Sequence, residues 1–275
     1  MKTRFGLAAS PIVCLLLAGC NGTLTTVAPP PAEVTTGTGN WIVSGLSQTT
    51  QAISPYSFGG SLINDNGQLS GVLHINQPCF GSGTTDVPYT GTVDAKNNLS
   101  IQSAPVAGQI LTFHGVLAAD GSSITNAGFT VTGGCTGSLT GGTVDEGPGA
   151  LEVVTAFRIP ALAGSWNTTT VVSGPILSEE IMQSSTPDSH GDYALTGAVT
   201  VQGSACFTKG TLQPGSFLSG NLGQEVVLMN DGSVLRATFT DSYHGPSSAA
   251  VRALDLYTGT ITGGACDGPV DEFLQ

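Results

Sequence analysis

Glu179, Glu180, Asp188, His190 and Asp192 form the densest concentration of titratable side chains in the sequence. Clustered carboxylates of this kind can supply oxygen ligands to calcium, or the acid and base of a glycosidase. The spacing matches no EF-hand loop, however, and residues 173–191 lack a clean alternation of apolar and polar positions. The stretch therefore reads as a solvated insertion loop. Cysteine is the other residue type suited to metal chemistry. Cys79, Cys135, Cys206 and Cys266 include no C-x-x-C pair and have no histidine within a few residues, which argues against zinc. His74 and His114 fall on the polar phase of their strands, and the matching places later in the chain lie near Thr200 and Thr238. No G-x-S-x-G elbow, phosphate-binding loop, G-x-G-x-x-G fingerprint or H-E-x-x-H pair occurs. These residues assign no catalytic side chain, no metal and no cofactor. They point to a non-enzymatic protein, with a hydrolase as the distant alternative.

The N-terminus addresses a different question, that of location. Lys2 and Arg4 precede an apolar run at residues 12–18 that is too short to span a bilayer as a helix. The run ends in Leu17-Ala18-Gly19-Cys20, which resembles the lipobox of bacterial lipoproteins. The resemblance implies that residues 1–19 are a cleaved signal peptide, helical during export, and that Cys20 becomes the acylated first residue. Asn21 in place of aspartate implies sorting to the outer membrane, facing either the periplasm or the exterior. Residues 20–38 carry three consecutive prolines and no apolar period, the composition of a flexible tether. Fully extended, such a tether reaches about 60 Å.

Loss of Lys2 and Arg4 leaves five basic residues against nineteen acidic ones, a net charge of −14. That sign disfavours nucleic acid, since phosphate binding needs lysine and arginine. The membrane is thus a partner only through the lipid anchor. Charged residues make up 9% of the chain, against about 25% in an average protein. The surface must therefore be built mainly of hydroxyls, amides and backbone. With 39 glycines and 15 prolines, many short strands and tight turns are expected rather than helices.

The chain is also written twice. TVTGGC at 130–135 returns as TITGGAC at 260–266, Gly39-x-Trp41 as Gly164-x-Trp166, and Cys79-Phe80 as Cys206-Phe207. The landmarks keep their order, which marks an internal duplication. The pairing that respects it is Cys79–Cys135 and Cys206–Cys266, two disulfides of an oxidising compartment. Each closes a loop of about sixty residues and contributes about 4 kcal/mol in the chain-entropy model.

Strand patterning follows the same register. Leu69, Gly71, Leu73 and Ile75 share one face, as do Leu195, Gly197, Val199 and Val201 in the second copy. Leu111, Phe113 and Leu117 correspond to Leu235, Ala237 and Phe239. Asn66-Gly67, Asp120-Gly121 and Asp231-Gly232 mark hairpin turns. The expected fold is all-β, with two tandem antiparallel meanders at 39–147 and 164–275 forming barrels, sandwiches or one combined sheet system. A junction strand lies at 148–163. The G-x-W at the start of each meander is similar to the first-strand motif of lipocalins and avidins, where the tryptophan plugs a barrel end. The expected role is structural or surface interaction in the cell envelope. The alternative is a barrel module for a small apolar or glycan ligand. Mass spectrometry of the mature protein is expected to find an acylated N-terminal Cys20, and Cys20→Ala to leave uncleaved precursor. An unmodified N-terminus at another residue contradicts both.

Overall fold

The computed structural model describes residues 37–49, 52–76, 80–133, 153–243 and 252–275, all within one compact unit, Thr35–Gln275. The described chain is all-β. Its first eight strands are β1 (Gly39–Thr49), β2 (Ala52–Asp65), β3 (Gln68–Ile75), β4 (Thr85–Val93), β5 (Asn98–Ser103), β6 (Ile110–Leu117), β7 (Ser123–Thr132) and β8 (Val153–Ile159). Each pairs with the next in antiparallel fashion, and β8 returns to β1 to close a barrel.

The second set is β9 (Gly164–Ser173), β10 (Ile176–Gln183), β11 (Tyr193–Gln202), β12 (Lys209–Leu212), β13 (Phe217–Ser219), β14 (Leu222–Met229), β15 (Val234–Asp241), β16 (Leu254–Thr262) and β17 (Gly268–Leu274). Both β12 and β13 lie between β11 and β14, end to end. They act as one strand interrupted at residues 213–216. This sheet therefore also has eight strand positions, and it closes through β17 on β9. The duplicated meander has become two barrels rather than one combined sheet. The strand β8 comes from the junction segment 148–163 and serves as the eighth stave of the first barrel, so only residues 160–163 connect the two.

Local chemistry explains the staves. In β5 the pattern Asn-Leu-Ser-Ile-Gln-Ser buries every second residue, the two-residue period of a half-buried strand. Between β2 and β3, Asn66 and Gly67 both take positive φ, 52° and 88°, as a two-residue primed turn requires. The insertion loop expected over 173–191 is not there for its first half, because β10 occupies Ile176–Gln183 and turns Leu177, Glu179 and Ile181 inward. The period was hidden because one inward position carries a glutamate.

Both interiors are filled. In the first barrel Phe58 meets Phe113 and Phe129 edge to face at 6.2 and 5.6 Å. The second packs Leu177, Leu195, Leu235 and Phe239 around Tyr257. Each G-x-W tryptophan is buried at the start of its barrel. The Trp41 indole N–H donates to the Gly37 carbonyl at 2.7 Å. Trp166 lies under the Arg252 guanidinium, which also pairs with the buried Asp241 carboxylate and donates to the Ala161 carbonyl of the connector. The disulfide Cys206–Cys266 joins the loop after β11 to the loop after β16, with Cα atoms 6.0 Å apart. Cys20, Cys79 and Cys135 lie outside the described residues.

Where β2 meets the end of β13, two features hold the barrels against each other. The Asn40 carboxamide donates to the Gly220 carbonyl and accepts from the Gly220 N–H, both at 2.8 Å. At the same point Gly59 and Gly220 meet backbone to backbone. A Cβ on Gly220 would sit 2.8 Å from the Gly59 Cα, and Gly220 itself has φ of +54°. Any side chain there is strained twice, by its own backbone and by its neighbour. Asn40→Ala and Gly220→Ala are each expected to lower the unfolding free energy by about 2 kcal/mol in a urea titration. Unchanged midpoints in both variants would show that the contact holds nothing.

Candidate functional site

A polar centre lies inside the second barrel. Glu179 on β10, Glu225 on β14 and Glu272 on β17 each point inward with their apolar neighbours and are fully enclosed. The Tyr257 hydroxyl on β16 lies 2.8 Å from a Glu225 oxygen and 3.2 Å from a Glu179 oxygen. Thr168 donates to Glu272 at 2.5 Å. Each carboxyl keeps one oxygen without a hydrogen-bond partner. Burial raises the pKa of all three. Glu225 and Glu272 are each pushed up to about 7, and Glu179 stands well above the usual range because burial is compounded by the Glu225 charge. All three shifts favour the protonated form relative to an exposed glutamate.

Strand register shows what the fold alone requires at these places. Trp41 pairs with Gly60 where Trp166 pairs with Glu179. Ile101 faces Phe113 where Glu225 faces Ala237. Ala127 faces Val154 where Tyr257 faces Glu272. The four titratable residues of the second barrel thus replace Gly60, Ile101, Ala127 and Val154 of the first. The same barrel closes without any of them. A buried carboxyl is destabilising unless neutralised or well bonded, so the set is not there for the fold.

The polar centre lies beneath the wall of a second feature. A cleft of about 580 Å³ opens between the barrels, within the range of small-molecule sites at about 300–1,000 Å³. One end is polar, with His74 and Asp86 from the first barrel and Asp192 from the loop before β11. The His74 Nδ1 is 3.1 Å from Asp86 Oδ1, and its Nε2 is 3.4 Å from Asp192 Oδ1. His190 Nδ1 reaches the other Asp86 oxygen at 3.1 Å. Asp188 shapes this loop by accepting the backbone N–H groups of His190 and Asp192 at 2.8 and 3.1 Å. Gly191 then lets the loop lie on Ser61 and Val72, where a Cβ would approach within 2.9 Å. Burial raises the Asp192 pKa, and the His74 charge opposes that.

The rest of the lining mixes apolar Phe217, Leu222, Phe239 and Leu256 with Thr84, Ser219, Gln224, Thr238, Thr240 and Thr258. Phe239 stacks on Tyr257 with centroids 6.2 Å apart, so the cleft wall rests directly on the polar centre. Leu256 sits on a bulge with φ of +52° and is 62% exposed. The first barrel has a bulge at the same step of its register, and there Asn126 takes φ of +49°. Asparagine tolerates this left-handed backbone; leucine is strained in it. The second barrel thus carries an exposed apolar side chain, at a conformational cost, on the rim of a cleft.

Against known proteins, the chain matches no family model, no curated protein and no solved structure. The site is therefore read from its own geometry.

The acidic stretch is divided three ways. Glu179 enters the barrel, Glu180 stays outside and bonds Ser165, and Asp188 shapes the loop through which His190 and Asp192 reach the first barrel. His74 is not on a solvated face, since its side chain is 9% exposed between the barrels. His114 does remain on the outer face of β6. Sequence reasoning did not bring forward Asp86, Glu225, Tyr257, Leu256 or Glu272. The available signal was a glutamate in phase with apolar neighbours, as in Leu177, Glu179, Ile181 and again in Val270, Glu272, Leu274.

A carboxyl whose pKa is higher folded than unfolded favours the folded state below its unfolded value, here 4.5, and that advantage is lost as pH rises through about 7. Asp94, Asp120 and Asp231 are held low by hydrogen bonds from Asn98, Ser122 and Ser233, so they act in the opposite sense and only in acid. Stability is therefore expected to fall as pH rises from about 4.5 through about 7. Glu225→Gln should flatten that slope in thermal melts. A wild-type stability that rises over this window contradicts the assignment.

Proposed function

We propose that this chain is a binding module of the cell envelope, anchored by lipid at Cys20, which holds a small molecule in the cleft between its two barrels. The observation that carries the reading is the strained, exposed Leu256 on the wall of a cleft of about 580 Å³. The same bulge in the sister barrel uses an unstrained Asn126, so the fold does not ask for a leucine there. His74, Asp86 and Asp192 supply orientation, and Phe217, Leu222 and Leu256 supply apolar surface. Side chains fill both barrel interiors, as eight-stranded barrels of this size permit, and this favours the space between the barrels over the space within either. The role is binding rather than chemistry.

A surface-interaction role is the second reading. Val171, Val172, Ile176 and Met182 are exposed on the adjacent strands β9 and β10, an apolar group on an outer wall.

Native mass spectrometry of protein purified from its own host separates the two. A retained small molecule that is lost in Leu256→Asp supports the cleft. Retention of the same molecule by Leu256→Asp places it elsewhere and ends the reading.

A further inference from the structure

The joint between the barrels holds a histidine that the barrel fold itself does not require. His74 lies on β3, opposite Gly59 of β2 on one side and Asp86 of β4 on the other. Gly59 is the residue that touches the Gly220 backbone, so His74 stands directly beside the close contact. At the same register step of the second barrel, Thr200 stands between Ser178 and Lys209, exposed on an outer wall. The repeated stave is thus built without a histidine at this step. What the place has gained in the first barrel is a neighbour from the second, Asp192.

The ring is held between two carboxylates. Its Nδ1 is 3.1 Å from Asp86 Oδ1 on its own barrel, and its Nε2 is 3.4 Å from Asp192 Oδ1 on the other. Only 9% of the side chain is exposed. A neutral imidazole has one N–H to donate, and the contact with Asp86 is the shorter. The second contact then sets a ring lone pair against a carboxylate oxygen, two desolvated acceptors that repel. One further proton, carried by His74 Nε2 or by Asp192, makes that contact attractive. Burial, and then the Asp188 charge, raise the Asp192 pKa, while the His74 charge and the Ser219 hydroxyl act against them. The charged groups that face the ring are few. Asp86 comes from β4, and Asp188, His190 and Asp192 come from the loop before β11. The neighbours from β2 and β13 are the uncharged Gly59 and Ser219. His190 reaches Asp86 from the solvent side with 68% of its side chain exposed, so its charge is screened. Without the shared proton, three aspartates gather at the joint around a neutral ring.

We propose that His74 is a proton-operated latch between the barrels: with the shared proton it ties β3 to Asp192, and without it the joint at Gly59 and Gly220 loosens. The latch is closed in mildly acidic solution and opens as pH rises past neutrality, the range in which histidine ordinarily changes charge. Asp86 positions the ring, so protonation of both aspartates in strong acid weakens the latch again. His74, Asp86 and Asp192 all line the cleft, and that end of it keeps its shape only while the latch is closed. The inference does not depend on the cleft being occupied.

Hydrogen exchange followed by NMR on the full mature protein reads the latch at one amide. The Gly220 N–H donates to Asn40 across the joint at 2.8 Å, so it exchanges when the joint opens. Its protection factor, which removes the intrinsic pH dependence of exchange, is expected to fall about tenfold between about pH 5.5 and pH 8.5. The buried Val227 amide of β14 is the reference for unfolding of the second barrel, whose enclosed glutamates titrate in the same window. Its protection should fall less than that of Gly220. In Asp192→Asn the carboxamide donates to His74 Nε2 at every pH, so the Gly220 slope is expected to vanish. His74→Gln, whose carboxamide donates to Asp192, should have the same effect, and a protected Val227 shows that each variant is folded. Glu225→Gln should leave the Gly220 slope in place. A wild-type Gly220 protection that stays constant, or that falls in step with Val227, overturns the latch. So does an unchanged Gly220 slope in either folded variant at the joint.

Discussion

The contact between Asn40, Gly59 and Gly220 sets the distance between the two barrels, and with it the width of the cleft beside it. One carboxamide satisfies both backbone groups of Gly220, and two glycines without side chains let β2 and the end of β13 touch. Because this contact is between backbones, it has almost no freedom to slide. It holds the first barrel's His74 and Asp86 across from the second barrel's Asp192, at hydrogen-bond and ion-pair distances. The cleft is the space left where that close contact ends. A single side chain at Gly59 or Gly220 wedges the barrels apart and separates groups whose interaction falls off within a few ångströms.

Duplication followed by divergence explains how one fold acquired both a scaffold and a site. The first barrel fills its interior with Phe58, Phe113 and Phe129, a packed core with no carboxyl group among its described residues. The second takes the same register and puts Glu179, Glu225, Tyr257 and Glu272 at places where its sister carries uncharged residues. Tolerating them draws on hydrogen bonds from Tyr257 and Thr168 and on carboxyl pKa values raised by burial, from which a pH-dependent stability is expected. Phe239 connects that interior to the cleft by stacking on Tyr257. Leu256, next to Tyr257 in the chain, is turned outward by the bulge while Tyr257 is turned inward. Polar centre and cleft wall are thus two faces of one strand.

Much of the fold was legible in the order of residues. Gly/Thr-rich repeats, Asn-Gly and Asp-Gly turns, and alternation at 69–75 and 195–201 are local signals, and they led to two all-β meanders. The Cys206–Cys266 bridge follows from the duplication, because a covalent bond between equivalent loops must respect the repeat. Reading failed at β10, where an inward glutamate broke the apolar count and made a stave resemble a loop. It failed again at His74, whose strand phase is polar but whose outer face is covered by the other barrel. No pattern within one strand reveals what packs on its outer side.

The sequence by itself determined the class, the repeat, the turns and one disulfide, because each depends on backbone preferences and periods that act over a few residues or on the duplication itself. Tertiary structure alone decided the site. Glu179, Glu225 and Glu272 are far apart in the chain and meet only because the barrel closes. His74 and Asp192 face each other only because two glycines let the barrels touch. Their chemistry comes from desolvation and distance, and neither exists until the sheets have closed around them.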